Sequence, residues 1–208
     1  MNNRKPIVYV VDDDASVCRA ISLLLKSHGF KVETFTRAAD FLAFKRLKLP
    51  SCLILDIRLQ GINGLAFQEV MKRREISIPV IFITGHGDIP MSVKAMKAGA
   101  VDFLPKPFTE KKLLNAITQA ILKSKAQNKE QAEISKIKRR IKILSPRELE
   151  VFRLVAKGML SKQIARKRGT ALQTIKVHRS RVMQKLQAKS VTELIHFAQK
   201  CGITSPQH

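Results

Sequence analysis

Five short apolar runs, at residues 7–11, 31–35, 52–55, 79–83 and 101–104, punctuate the first 122 residues, and a stretch with apolar positions at helical spacing follows each. Runs of this length without polar alternation read as strands buried on both faces. The helical stretches cover residues 16–28, 37–44, 65–74, 91–98 and 109–122, with Gly29 and Gly99 standing where the first and fourth would stop. Five strand-helix alternations predict an α/β fold. It is a doubly wound five-stranded parallel sheet whose active site, if it has one, lies outside the carboxyl ends of the strands.

Beyond residue 122 the pattern changes. Residues 123–142 are polar and lysine-rich and contain neither Gly nor Pro, while Ile134, Ile137, Ile141 and Leu144 recur at helical spacing. This predicts a helical linker that continues the fifth helix and offers an apolar stripe to a partner chain or to its own second domain. From Ser145 onward the strand pattern is gone. Ser145-Pro146-Arg147-Glu148 is a capping box with Pro at the first helical position, and Ser190-Val191-Thr192-Glu193 opens a last helix similarly. Between them lie helices over residues 161–167 and 171–186, joined by a turn at Gly169. Two helices with a short turn, the second one basic, have the pattern of a helix-turn-helix. The expected organisation is a domain over residues 1–122, a linker over 123–142, and a smaller all-α four-helix domain over 143–208.

Charge sharpens this division. The 208 residues carry 39 Lys+Arg against 16 Asp+Glu, a net charge of +23. Residues 1–124 contribute +8 and residues 125–208 contribute +15, so the excess sits in the shorter C-terminal part and attracts polyanions there. Charge alone leaves DNA, RNA and an anionic membrane surface open. No run approaches the roughly 18 apolar residues that span a bilayer. The N-terminus offers only residues 7–11 before three aspartates, so neither a membrane span nor a secretory signal is expected. Cys18, Cys52 and Cys201 are an odd, dispersed set without a CxxC pair, which argues against a disulfide framework or a zinc site and fits a reducing cytoplasm.

Candidate chemistry gathers at the strand ends. Asp12 and Asp13 follow the first strand, Asp56 the third, Thr84 the fourth and Lys106 the fifth. Each has an ordinary use taken singly: Asp13 or Asp14 as a helix cap, Thr84 as a turn cap, Lys106 as a solvated loop cation. Together they place three carboxylates at one sheet edge, where mutual repulsion calls for a hard, oxygen-seeking cation. Without His or Cys nearby, Mg²⁺ fits better than zinc. A carboxylate, a divalent metal, a lysine and a hydroxyl are what in-line phosphoryl transfer to an aspartate requires.

Residues 10–14 (VVDDD), 53–56 (LILD), 83–85 (ITG) and 102–108 (DFLPKPF) closely resemble a bacterial response-regulator receiver domain. With residues 144–152 (LSPRELEVF) and 174–179 (TIKVHR), nearly the whole chain resembles a two-component transcription factor of the NarL/FixJ type. The resemblance implies that a histidine kinase phosphorylates Asp56. It also implies that Asp13, Asp56 and the backbone carbonyl of Arg58 bind Mg²⁺ with help from Asp12, that Lys106 contacts the phosphoryl group, and that the Lys106-Pro107 bond is cis. The switch pair of the family falls on Thr84 and Phe103, with pairing into a homodimer across residues 91–122. Gly85 leaves room for the phosphoryl group, while Arg58 and His86 flank the mouth of the pocket, where they are expected to slow attack by water. In the output domain Ile175, Val182 and Leu186 face inward, and Lys176, Val177, Ser180 and Arg181 face the major groove. Lys162, Thr174, Arg179 and Lys185 are expected on phosphates. RNA polymerase is a further candidate partner.

The chain departs from the family at Gln60, where Pro is common, and at Arg168 and Thr170, where aliphatic residues are usual. Ala171 stands where Ser usually caps the helix; the expectation is a loosened turn, unless Thr170 serves as the cap instead. Two rival readings stay open. A fixed receiver would make the chain a constitutive DNA-binding dimer; an aspartate-nucleophile phosphatase would use the Asp-x-Asp spacing of Asp12 and Asp14, but that explains Asp56 and Lys106 less well and gives the C-terminal domain no role.

Overall fold

The computed structural model describes residues 5–47, 49–85 and 89–203, and the chain divides into two compact units, Met1–Asn128 and Lys129–His208. The first unit contains β1 (Ile7–Val11), α1 (Ala15–Ser27), β2 (Lys31–Phe35), α2 (Ala38–Ala43) and β3 (Ser51–Asp56). A two-stranded hairpin, β4 (Arg58–Leu59) and β5 (Ile62–Asn63), leads into α3 (Gly64–Arg73). Then come β6 (Val80–Thr84), α4 (Ile89–Lys97), β7 (Asp102–Pro105) and the start of α5 (Glu110–Ile141).

The main sheet has the order β2-β1-β3-β6-β7 with every neighbouring pair parallel. Alternate residues of β1 feed two apolar layers. Val8 and Val10 pack with Leu25, Ile54, Leu113 and Ile117 on the α1/α5 side, whereas Ile7, Tyr9 and Val11 pack with Phe41, Leu55, Phe67 and Phe82 on the other. Burial on both faces is why β1, β3 and β6 read as unbroken apolar runs. The sequence placed Asp56 and Thr84 just past their strands; they are instead the last strand residues, because each strand takes its final backbone hydrogen bonds there. Ile57 N–H donates to Ile83 O at 3.0 Å, and Lys106 N–H donates to Thr84 O at 2.7 Å. The β4–β5 hairpin, with Gly61 at φ +83°, was not visible as a strand pattern because two-residue strands carry no periodicity.

α5 is continuous across residues 110–141. Within the first unit its Ser124 hydroxyl is buried and accepts the N–H of Ser51 at 3.0 Å, tying the helix to the start of β3. Its last turns belong to the second unit, with α6 (Pro146–Ala156), α7 (Ser161–Arg168), α8 (Leu172–Leu186) and α9 (Val191–Lys200). Ile137 is buried and Ile141 packs against the C-terminal core of Val151, Phe152, Ile164, Ile175, Val182, Leu186 and Leu194. The C-terminal end of the linker's apolar stripe, Ile141 and Leu144, is therefore covered by its own second domain.

Glu148 ties this unit together. Its carboxylate accepts Ser145 N–H at 2.7 Å, while Ser145 Oγ accepts Glu148 N–H at 3.3 Å, completing the capping box at the start of α6. The same carboxylate accepts Lys185 Nζ at 2.6 Å, and this bond, ahead of the Ser145 backbone bond, holds its pKa below the ordinary carboxylate range. A carboxylate with a depressed folded pKa adds stability above its unfolded value, about 4.3, and loses it as the pH falls through the folded pKa. Glu148→Gln is expected to destabilise the second unit by about 1–3 kcal/mol near neutral pH and to flatten the acid limb of its thermal-stability profile. Calorimetry from neutral pH down to about pH 3 checks this; an acid limb as steep as that of the native chain would remove Glu148 as its source.

Candidate functional site

At the carboxyl edge of the main sheet the β1–β3 register sets Val11 beside Leu55, so the residues that follow them, Asp12 and Asp56, are neighbours. Asp12 is 1% and Asp56 6% exposed; Asp13 is half-buried. Carboxylate oxygens of all three lie within 4.8 Å of one another. Asp14 turns away to cap α1, its Oδ1 accepting Ser16 N–H at 2.7 Å, so this aspartate has the ordinary structural use. Lys106, just past β7, donates to Asp12 Oδ2 at 2.7 Å and stands 3.7 Å from Asp56 Oδ1, an ion-pair distance but too long for a hydrogen bond.

Asp56 Oδ1 is buried and accepts no hydrogen bond from the described residues. Burial raises the Asp56 pKa above the ordinary carboxylate range; the Lys106 ammonium opposes the shift, and Asp12 and Asp13 add to it. One ammonium faces three carboxylates, and the donors are all oxygen. That set suits a hard divalent cation of the magnesium class.

Thr84 is fully buried at the end of β6. Phe103, paired in register with Phe82, is half-buried against the second apolar layer and borders a cleft of about 390 Å³ lined also by Phe108, Lys112 and Asn115. The Lys106-Pro107 bond is cis, as the resemblance implied. Arg58 is exposed on β4. His86 lies outside the described residues.

One residue of the site escaped the sequence. A Cβ at Gly64 would stand 2.6 Å from the carbonyl oxygen of Asp56 and 2.9 Å from Ile57 Cα. Gly64 N–H also donates to Ile57 O at 2.8 Å. The hairpin thus folds α3 back against the backbone that carries Asp56. The only available signal was a glycine eight residues downstream of an aspartate, which no periodicity singles out.

In the second unit the helix-turn-helix is α7, a turn at Gly169 (φ +60°), and α8. Ile175, Val182 and Leu186 are buried, while Thr174, Lys176, Val177, Ser180 and Arg181 are exposed on α8, and Lys162 is exposed on α7. Arg179 Nη1 donates to Ser161 Oγ at 3.1 Å, bracing α8 against α7. Lys185, expected on a phosphate, is engaged inside the unit by Glu148 and, at 3.5 Å, by the Ile143 carbonyl.

The turn is also held differently from expectation. α8 starts after Ala171 with no side-chain cap, and Thr170 does not substitute: its N–H closes the end of α7 on Ala165 O at 3.1 Å. Arg168, in an aliphatic position, instead pairs with Glu150 of α6 at 2.5 Å. An ion pair replaces an apolar contact, and the turn is clasped rather than loosened.

Comparison with known proteins gives two matches of family. Residues 8–118 match the response regulator receiver domain, and residues 142–198 match the luxR family of bacterial regulatory proteins. Among curated relatives, nodulation protein W of Bradyrhizobium diazoefficiens is 44% identical over 97% of this chain and 88% of its own length. Transcriptional regulatory protein FixJ of the same organism is 40% identical over 94% and 96%. Among solved structures, response regulator StyR superposes with a TM-score of 0.76 at 44% identity, covering 95% of this chain and all of its own. Full-length FixJ from B. japonicum gives 0.55 at 38% identity, over 96% and 98%.

The crowding at Gly64 yields a direct test. Gly64→Ala is expected to destabilise the first unit by about 1–3 kcal/mol, because the methyl must displace backbone rather than a side chain. Gly85→Ala adds a methyl that meets nothing within 4 Å and is expected to change stability by less than about 0.5 kcal/mol. Urea denaturation of both variants checks the pair; equal stability would show that the Asp56 backbone can move aside freely.

Proposed function

This chain belongs to the two-component response regulators of the NarL/FixJ type, a receiver joined to a luxR-family DNA-binding domain, and from that premise we propose that its switch is phosphorylation of Asp56 by a partner histidine kinase. The observation that carries the reading is the buried Asp56 oxygen that accepts no hydrogen bond from the described residues, faced by Lys106 across 3.7 Å. The Asp56 carboxylate attacks the phosphorus of a phosphohistidine; the new O–P bond forms as the N–P bond breaks, and the imidazole, already protonated on its other nitrogen, leaves neutral. Lys106 orients the incoming phosphoryl oxygens and offsets their charge. Asp12, Asp13 and Asp56, with the carbonyl of Arg58, are the residues to hold Mg²⁺. Bound there, Mg²⁺ supplies positive charge against the phosphoryl oxygens.

Thr84 ends the neighbouring strand, and on phosphorylation its hydroxyl turns toward the phosphoryl group. Phe103 follows inward, the adjoining cleft giving it room to move, and so alters the surface over residues 91–122 through which the chain dimerises. In the output unit the exposed residues of α8 enter the major groove. Lys176, Val177, Ser180 and Arg181 read base edges, while Lys162, Thr174 and Arg179 hold the backbone. Among the described residues no helix is long and apolar enough to cross a membrane. With Cys18, Cys52 and Cys201 all unpaired thiols, the cytoplasm is the compartment that suits the chain.

Two experiments test this reading. After incubation with acetyl phosphate and Mg²⁺, intact-protein mass is expected to show one added phosphoryl group on the native chain and none on Asp56→Asn. Addition to both would place the acceptor elsewhere. In titrations against duplex DNA, Lys176→Ala is expected to weaken specific binding by about 1–3 kcal/mol while sparing random sequence. Equal losses on the two would make Lys176 a phosphate contact instead.

A further inference from the structure

Residues 129–142 hold six basic side chains against two acids, and the helix sorts them. At about 100° per residue, Ile134, Ile137 and Ile141 define one face, on which Ile134 is half-buried, Ile137 is buried and Ile141 packs on the core of the second unit. Glu130 and Glu133 fall within about 75° of its centre, and Glu133 is spent on Lys200 at 3.1 Å. Lys129, Lys136, Arg139 and Lys142 all fall more than about 100° away. These four are exposed and, among the described residues, none of them forms an ion pair. The outward face is therefore cationic and free of acids.

This face has a firm support. Arg140 Nη1 donates to the Leu186 carbonyl at 3.0 Å, its other nitrogen bonds the Gln187 side chain, and Ile137 is buried beneath it. Leu186 and Gln187 are the last residue and the cap of α8. The end of α5 is thus fastened to the helix that carries Lys176 and Arg181, in the place where a cation complements the carbonyl end of that helix.

We propose that the outward face of residues 129–142 is a second DNA-binding surface, in which Lys129, Lys136, Arg139 and Lys142 grip phosphates while α8 reads bases. The proposal rests on the reading of the second unit as a DNA-binding domain. Duplex DNA suits this face better than a lipid surface. An interfacial helix needs an exposed apolar side to enter the headgroup boundary, and here the apolar side is consumed by packing on its own unit. What remains can neutralise phosphates but has nothing to insert.

The test uses the full chain with Lys129, Lys136, Arg139 and Lys142 all changed to Gln, which keeps helix propensity and removes charge. A matched control changes the exposed Lys5, Lys26, Lys45 and Arg73 of the first unit to Gln. Each phosphate contact contributes roughly 0.9 to the slope of log affinity against log salt. The quadruple variant is expected to lose roughly 2–4 units of that slope on specific and random duplex alike, and to protect a shorter stretch of backbone from hydroxyl radicals. The pair Lys136→Gln/Arg139→Gln should lose about half as much, and the control little. A slope in the quadruple variant equal to that of the control, or an unchanged footprint, overturns the proposal. So does loss of binding to phosphatidylserine-containing vesicles with the DNA slope intact, which would give the face to a membrane. A native chain that binds no duplex overturns the DNA reading of the second unit and this surface with it; retained native binding that Lys176→Ala weakens separates the two.

Discussion

Negative charge gathered at the carboxyl edge of the parallel sheet is the constraint around which the first unit is arranged. Asp12 and Asp56 are buried there with Asp13 close by, and one lysine stands against the three. Burial and like-charge repulsion both penalise the ionised form of Asp56. Such an arrangement persists only if the surroundings leave the carboxylates nowhere else to go. The β1–β3 register brings Asp12 and Asp56 together, Thr84 O holds the backbone of Lys106, and Gly64 seats α3 directly on the Asp56 carbonyl. Apolar layers on both sides of the sheet supply the stability that this edge consumes. A pocket with this excess of negative charge suits a divalent cation, because the cation relieves the repulsion that the fold imposes.

Much of this was legible in sequence because the strands are buried on both faces. Unbroken apolar runs located β1, β3 and β6 to within a residue, and the polar residues at their ends followed from that alone. The acidic trio and Lys106 could be read because strand ends in a doubly wound sheet share one edge. What could not be read were pairings that periodicity does not encode. Gly64 matters through a backbone contact, and the β4–β5 hairpin is too short to have a pattern. Ser124 reaches back across the sequence to Ser51. Lys185 looked like a phosphate ligand because a lysine on a recognition helix is usually free; only the position of Glu148 shows that it is not. Helical spacing tells which face a residue is on, not which residue meets it there.

The three departures from the family at the turn follow from the same limit. Taken one by one, Arg168, Thr170 and Ala171 remove two aliphatic contacts and a cap. In the fold Arg168 finds Glu150, and the end of α7 is closed by backbone bonds from Gly169 and Thr170, which need no side chain. An exposed ion pair alone is worth little, but here it is added to a turn whose backbone geometry glycine already satisfies.

The second unit also handles charge in the opposite way from the first. It has five acids, and four of them hold internal bonds: Glu133 to Lys200, Glu148 to Lys185 and Ser145, Glu150 to Arg168, and Glu193 to the N–H of Lys189. Acids used this way stabilise the helices without screening the surface. A +15 excess distributed over residues 125–208 is then presented outward largely undiluted, from α8 and from the end of α5 fastened to it. Like charges at such density repel one another and weaken the folded unit. The internal acid bonds offset that repulsion where they stand, so the second unit can sustain a cationic surface suited to a polyanion, while the first unit sustains an anionic pocket suited to a divalent cation.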